Sequence, residues 1–308
     1  MELSFRSYAD ADAAAVADLW NEVELHVGGH PGFSEAEMRG WAARWPDPAE
    51  CARVVVAPDG SVVAAGVVET PTEGIRVNAP GLVAPRWRGR GIGRALLAWQ
   101  WETARARHAE TAPDVEWIFD VRASAVETEA ARLYARHGMT PSRYWFDMVA
   151  PTGSAVELPA PEGLRIVAAT DLDPHLVHRV HMETFREHFG FEYFDFDVWT
   201  PLTVASPLFR ADLSRLAYDG SELAGYVLAY DEGDPEALYV GQVGTRAPWR
   251  GRGLAAAMLS STLVAAGKAG LTSTRLGVDA SNPTGAVGVY ERAGFVVETE
   301  SVTYSLAM

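Results

Sequence analysis

The chain contains one motif twice, and this restricts what it can fold into more than any other feature. RWRGRGIGRALL starts at Arg86 and WRGRGLAAAML starts at Trp249, each after a β-rich run and ahead of a long amphipathic helical pattern. Arg88, Gly91 and Gly93 answer to Arg250, Gly253 and Ala255, an offset of 162 positions in a chain of 308 residues. A repeat at half the chain length means two copies of one domain. The flanks agree. Leu3-Ser4-Phe5 before Asp10 and Leu164-Arg165-Ile166 before Asp171 read as first strands, each leading into a helix near an aspartate cap. Asp59-Gly60 and Asp219-Gly220 sit between apolar runs as hairpin turns, and RYWFDMVA and SVTYSLAM read as closing strands. The stretch PTGSAVELPAPEG, rich in proline, glycine and small residues, reads as a linker. The expected organisation is one mixed α/β domain over residues 1–150, a linker over 151–163 and a second over 164–308.

The repeated loop has a chemistry of its own. Glycines at alternate positions let the backbone turn its N–H groups outward. The helix starting there adds its unsatisfied first-turn donors and the positive end of its dipole, so strand, loop and helix together cradle a phosphate-bearing ligand. The dinucleotide fingerprint fails, because Arg94 stands where the third glycine of a Gly89 start belongs, and no G-x-x-x-x-G-K-[ST] loop occurs. A glycine-rich turn with solvated arginines would leave the same residues, so the loop by itself does not decide.

Charge narrows the partners. A formal net charge of −15 argues against a nucleic-acid or anionic-membrane surface while leaving room for a local basic pocket around the arginines, so a small-molecule partner is expected. Cys51 is the only cysteine, which rules out an intrachain disulfide or a cysteine-built metal cage, and its place before an apolar run suggests a buried strand residue. The N-terminal segment has an acidic load instead of a positive start followed by an apolar core, and no run approaches membrane-spanning length. A cytoplasmic protein is expected.

A second motif follows the second loop. In RLGVDASNPTGAVGVYERAGF a strand through Val278 leads to Asn282, Ala286, Tyr290 and Gly294-Phe295. Ala286 and Tyr290 share a helix face, and Gly294 is placed to stop that helix. The first half repeats this with Ala130, Tyr134 and Gly138-Met139, but Val126 takes the asparagine position, so that copy is degenerate. The two motifs together resemble the Gcn5-related N-acetyltransferase (GNAT) superfamily, whose loop reads [QR]-x-x-G-x-[GA] and whose later helix carries N-x-x-A-x-x-x-Y-x-x-x-G-[FM]. Val83-Ala84-Pro85 before Arg88 also fits the family pattern, whereas Thr245-Arg246-Ala247 before Arg250 lacks its proline. The resemblance covers nearly the whole chain, and among tandem members the layout is similar to the mycothiol synthase-like two-domain acetyltransferases.

The resemblance implies two GNAT-like domains, each a mixed central sheet flanked by helices. It implies direct transfer of an acetyl group from acetyl-CoA, the acyl donor, to a primary amine of a small molecule, without a covalent enzyme intermediate or a metal. Backbone groups of Val243, Gly244 and Thr245 would hold the pantetheine and thioester, and Arg250, Gly251, Arg252, Gly253, Leu254 and Ala255 the phosphates, with Asn282 beside them. The first copy offers Leu82, Val83, Arg88, Gly89, Arg90, Gly91, Ile92 and Gly93. Tyr290 would protonate the departing thiolate, and the second domain would be the catalytic one. No base can be assigned from Glu236 or Tyr239. The substrate side would include the acidic and aromatic run from Glu183 to Trp199, with Glu187, Phe189 and Glu192 in it, which equally reads as a core-facing stripe with a solvated face. His175, His178 and His181, three apart on one helix, read as structural or pocket-lining side chains instead of metal ligands. An acyl-CoA-binding sensor or scaffold and a protein N-acetyltransferase are the alternatives, and a monomer or a homodimer is compatible with the tandem layout.

Overall fold

Valine-rich alternation and well-capped helices set the element order of the first half in the structure, a computed structural model. It describes residues 3–71, 74–186, 191, 193–231, 233–281 and 285–308. The order is β1 (Ser4–Ser7), α1 (Ala13–Val27), α2 (Glu35–Ala42), α3 (Pro48–Cys51), β2 (Ala52–Val56), β3 (Val62–Val67), β4 (Arg76–Asn78), β5 (Gly81–Val83), α4 (Ile92–Thr111), β6 (Ile118–Ser124), α5 (Thr128–Arg136) and β7 (Thr140–Pro151). Helix α2 starts on a capping box in which Ser34 and Glu37 satisfy each other's amides. The Asp47 carboxylate accepts from Ala49 N ahead of Pro48 at the start of α3. Cys51 closes α3 and is half-buried, one residue short of the strand it was expected to join.

The second half continues with β8 (Leu164–Ala168), α6 (Pro174–Phe185), α7 (Phe196–Leu202), β9 (Arg215–Asp219), β10 (Glu222–Asp231), β11 (Ala237–Thr245), α8 (Leu254–Lys268), β12 (Ser273–Asp279), α9 (Ala286–Ala293) and β13 (Val296–Ala307). Asp173, two residues beyond the aspartate expected to cap α6, accepts from the amides of His175 and Leu176. The β9–β10 hairpin pairs Asp219 with Glu222, so its two-residue loop is Gly220-Ser221, whereas Asp59-Gly60 lies inside a longer turn closed by Ala57 N donating to Ser61 O.

Two compact units form: Met1–Trp145 with Thr299–Met308, and Phe146–Glu298. In the first, β1, β2, β3 and β5 make an antiparallel sheet. Strand β4 pairs in parallel with β6, and the tail of β13 pairs antiparallel with β6 from Ser301 opposite Ser124 to Ala307 opposite Ile118. In the second, strands β12, β11, β10, β9 and β8 follow in that order, with β7 beside β12. The α8 face of that sheet buries Leu254, Met258, Leu263 and Phe295, and the α6 face buries Val177, Trp199, Tyr226 and Leu228.

The units therefore do not divide at the proline-rich stretch. Residues 152–163 belong to the second unit, where Thr152 N donates to Thr272 O and Leu158 N to Ser260 Oγ (2.9 Å). The last ten residues belong to the first. Composition marks a segment without regular structure but carries no information about which strand edge a closing strand will join.

Candidate active site

The site is built where a strand loses its neighbour. Strand β11 stays paired with β10 from Leu238 opposite Asp231 to Thr245 opposite Gly225. It pairs with β12 only at Ala237, Leu238 and Tyr239. Beyond Tyr239 the two parallel strands part, and half of the backbone groups of Val243, Gly244 and Thr245 face a gap in place of a strand. A bulge at Gly241, set between the Leu228–Gln242 and Ala229–Val240 pairs, adds to the divergence. The first unit shows the same break in another form. Strand β4 pairs with β6, β5 pairs with β3, and Ala79-Pro80 separates them. Pro80 has no N–H to give a ladder, and the buried Gln100 amide donates instead to the carbonyls of Val67, Ala79 and Pro80. Leu82 and Val83 lie just past this break.

Each parted strand runs into its glycine loop. Arg250 Nε donates to Thr245 O (3.0 Å) and Arg88 Nε to Val83 O (3.2 Å), so the motif arginine fastens the turn to the strand end in both units. Arg88 also pairs with Glu127 (2.7 Å), Arg252 donates to the Glu162 carbonyl, and Arg90 lies over the Trp87 ring. Gly251 and Gly253 have φ of +73° and +84°, and Gly89 and Gly91 +73° and +82°, the left-handed region in which other residues are strained. Leu254 and Ile92 are the first residues of α8 and α4, buried as anchors, and Gly93 and Ala255 follow them inside the helices.

No described residue accepts from the main-chain N–H groups of Gly251, Arg252, Gly253 or Leu254, and a Cβ on Gly251 or Gly253 would meet nothing within 4 Å. Four free donors, an open approach and the N-terminus of a 15-residue helix fit a diphosphate such as that of coenzyme A.

Tyr290 lies on α9, packed beside Ala286 against the α8 core, with its ring 6.1 Å from that of Phe295. Its hydroxyl has no hydrogen bond to any described residue. Burial, with a smaller effect of Tyr239, pushes its pKa up to about 12, so it holds its proton at neutral pH. Gly294 ends α9 with φ +100°. Asn282 lies outside the described residues. In the first unit Tyr134 is buried against Tyr304, ring centroids 5.3 Å apart, and its pKa is also raised by burial.

The α6 face of the parted strand carries a polar group that the sequence motifs do not mark. A Cβ on Gly244 would stand 2.6 Å from Tyr226 Cζ and 2.8 Å from Thr184 Oγ1, so the phenol of Tyr226 lies across β11 only because residue 244 has no side chain. The Tyr226 hydroxyl is 2.7 Å from His181 Nδ1, and both side chains are buried. Nothing in the sequence marks this pair, because the turn at Gly220-Ser221 sets the β9–β10 register and leaves the β10–β11 register, which puts Tyr226 opposite Gly244, undetermined. His175 stacks on Phe196, and His178 Nε2 contacts the Phe194 carbonyl, so the three histidines do not converge. Among the described residues no group of three or more His, Cys, Asp or Glu could hold a metal. Of the acidic and aromatic run, Trp199 and Phe191 join the core, Tyr193 and Phe194 are exposed, and Glu183 pairs with Arg246 (2.9 Å). Glu187, Phe189 and Glu192 lie outside the described residues.

Gly244→Ala is expected to destabilise the protein by about 1–3 kcal/mol, because the new methyl overlaps the Tyr226 ring. A thermal melt should show it as a fall in Tm of roughly 2–4 °C per kcal/mol. Gly267→Ala provides a weaker comparison, since its Cβ would stand 3.0 Å from the Thr152 carbonyl oxygen.

Comparison with known proteins matches both halves to one group. The Acetyltransferase (GNAT) family profile matches residues 176–295, and an Acetyltransferase (GNAT) domain profile matches residues 48–140. A mycothiol acetyltransferase of Geodermatophilus obscurus is 29% identical over 312 aligned residues, covering 96% of this chain and 95% of its own. A GCN5-related N-acetyltransferase from Sphaerobacter thermophilus superposes with a TM-score of 0.81 at 28% identity, covering 99% of this chain and 95% of its own. A tandem GNAT protein from the clavulanic acid biosynthesis pathway has the same fold, with a TM-score of 0.73 at 19% identity over 99% and 98% of the two chains. Among the described residues no helix is long and apolar enough to cross a membrane.

Proposed function

The chain belongs to the GNAT acetyltransferases, carries two of their domains in tandem and is an N-acetyltransferase using an acyl-CoA donor; from this we propose that Phe146–Glu298 is the catalytic unit and that its acceptor is a primary amine of a small molecule. The observation behind this reading is the parting of β11 from β12 beside a half-buried tyrosine that keeps its proton. The first unit has the same loop, but its tyrosine is packed against another ring and it sets Ala65, without a hydroxyl, opposite Leu82 at the strand position that Tyr226 takes in the second.

Acetyl-CoA supplies an activated thioester. The protein's part is positional and electrostatic. The amides of Gly251 to Leu254 would take the diphosphate, Arg250 would keep the loop fastened to Thr245, and the gap-facing backbone of Val243 to Thr245 would hold the pantetheine. A backbone N–H in that gap would stabilise the developing oxyanion, and the Tyr290 hydroxyl would protonate the leaving thiolate. The acceptor would enter from the α6 face, in a cytoplasmic setting where acyl-CoA is supplied.

The test is a mass-spectrometric screen of the purified full chain with several acyl-CoAs against a panel of amines, including the unacetylated form of mycothiol, the compound in the relative's name. Acetylation of a small amine is the expected result, faster as pH rises and the amine loses its proton. Binding of acyl-CoA without any product would replace this reading with a sensor or scaffold. Acetylation confined to peptide N-termini would replace it with a protein N-acetyltransferase.

A further inference from the structure

We propose that Tyr226 and His181 form the relay that removes the proton from the attacking amine, Tyr226 Oη meeting the nucleophile and His181 Nδ1 receiving the proton. The inference rests on Phe146–Glu298 being the catalytic unit. Direct acyl transfer needs such an acceptor, because an amine that has bonded to the thioester carbon carries one proton too many. Strand β11 offers no carboxylate: it reads Ala-Leu-Tyr-Val-Gly-Gln-Val-Gly-Thr from Ala237. The neighbouring described carboxylates are tied to guanidinium groups, Glu183 to Arg246, Asp231 to Arg210 and Asp234 to Arg275.

What the α6 face does offer is a phenol reaching across Gly244, the residue at the parted end of β11, and joined at 2.7 Å to an imidazole. Both groups are buried, and a buried polar pair of this kind is costly unless it is satisfied or used. Gln242 Oε1 and the Tyr230 hydroxyl are buried nearby with no hydrogen-bond partner among the described residues, so this face holds further polar atoms that a substrate or water could satisfy. The contrast between the units is sharp at the same strand register. Where the second unit sets Tyr226 opposite Gly244, the first sets Ala65 opposite Leu82, leaving neither a hydroxyl nor a gap for one.

In the tautomer with its proton on Nε2, His181 accepts from the phenol through Nδ1. As the amine nitrogen bonds to the thioester carbon, its proton passes to Tyr226 Oη while the phenol proton passes to His181 Nδ1. The carbon–sulfur bond then breaks, and the thiolate takes a proton from Tyr290. One proton leaves the amine and one reaches the thiol, so amide and free thiol form in balance, and both side chains re-equilibrate with water. Among the described residues, the titratable or charged groups near His181 are His178 and Glu183 on α6, the latter paired with Arg246 after β11, and Tyr226 and Tyr230 on β10. Phe185 and Trp199 supply its ring contacts.

The test uses the full chain with acetyl-CoA, once with 2-phenylethylamine and once with water as the only nucleophile, following thiol release from pH 5.5 to 9. His181→Asn keeps a hydrogen-bonding atom near the Nδ1 position but cannot take a proton. It should lower kcat about a hundredfold with either nucleophile and remove the acidic limb of the water reaction, the amine reaction keeping the rise that comes from the amine's own deprotonation, with acetyl-CoA affinity by calorimetry changed less than about twofold. Tyr226→Phe, which keeps the ring packing, should fall as far, and the double variant should fall no further than either single one. If the His181 variant retains its rate and pH profile, or loses acetyl-CoA binding together with its rate, the relay is wrong. If the wild-type protein releases thiol in water yet acetylates no amine in the screen, the acceptor assignment fails while the relay stands or falls on the water reaction. If it releases no thiol with either nucleophile, both are overturned.

Discussion

Tyr290→Phe is expected to lower kcat ten- to a thousandfold and to leave acetyl-CoA affinity within about twofold. The phenol makes no hydrogen bond to a described residue, so removing its oxygen breaks no hydrogen bond among them, and the ring packing against the α8 core is kept. On the proposed mechanism, what is lost is a proton offered late in the reaction to a departing thiolate. Because burial pushes the pKa up to about 12, the group is protonated throughout the physiological range, and the wild-type profile should show no descending limb from it below about pH 11. Tyr134→Phe in the first unit should change kcat much less, since that side chain is packed against Tyr304. Steady-state kinetics of the two variants decide the matter. Equal losses, or a larger loss at Tyr134, would move catalysis away from Phe146–Glu298.

Gly253→Val should weaken acetyl-CoA binding at the second loop by at least about tenfold, equivalent to about 1.4 kcal/mol. Two effects add. The residue holds φ at +84°, where a β-branched side chain is strained by roughly 1–2 kcal/mol, and its two methyls would enter the open space above the free amides. Since a Cβ there meets no protein atom within 4 Å, the fold should survive, and circular dichroism would check it. Calorimetry belongs on the full chain, because a fragment from Gly163 onward would lack Met148 and Ala150, buried core residues of the second unit. A folded Gly253→Val protein with unchanged affinity at both loops would remove the glycine cradle from the proposal.

Several elements were legible without coordinates for identifiable reasons. The glycine loops, the helices after them and the stop at Gly294 depend on local backbone geometry, which a few residues encode: glycine for positive φ, an apolar face of period 3.6, a break in both. The hairpin between β9 and β10 was legible in the same way, to within one residue. Duplication then doubled each signal, because Arg88 and Arg250 make the same bond to their strand ends.

The rest required the chain to be folded. That β7 starts in one unit and ends in the other, and that residues 299–308 close the first, is a choice among unpaired strand edges with equal hydrogen-bonding capacity, on which alternation of side chains is silent. The Tyr226–His181 pair joins positions 45 apart in sequence through a 2.7 Å contact, and neither residue belongs to a spacing pattern. The sequence by itself determined the repeat, the α/β class, the glycine loops and the helix that carries Tyr290, because these arise from periodicity and short motifs. Tertiary structure alone decided which strands part, how Tyr134 and Tyr290 are packed and what lies across Gly244, because those depend on contacts between segments whose separation along the chain carries no signature.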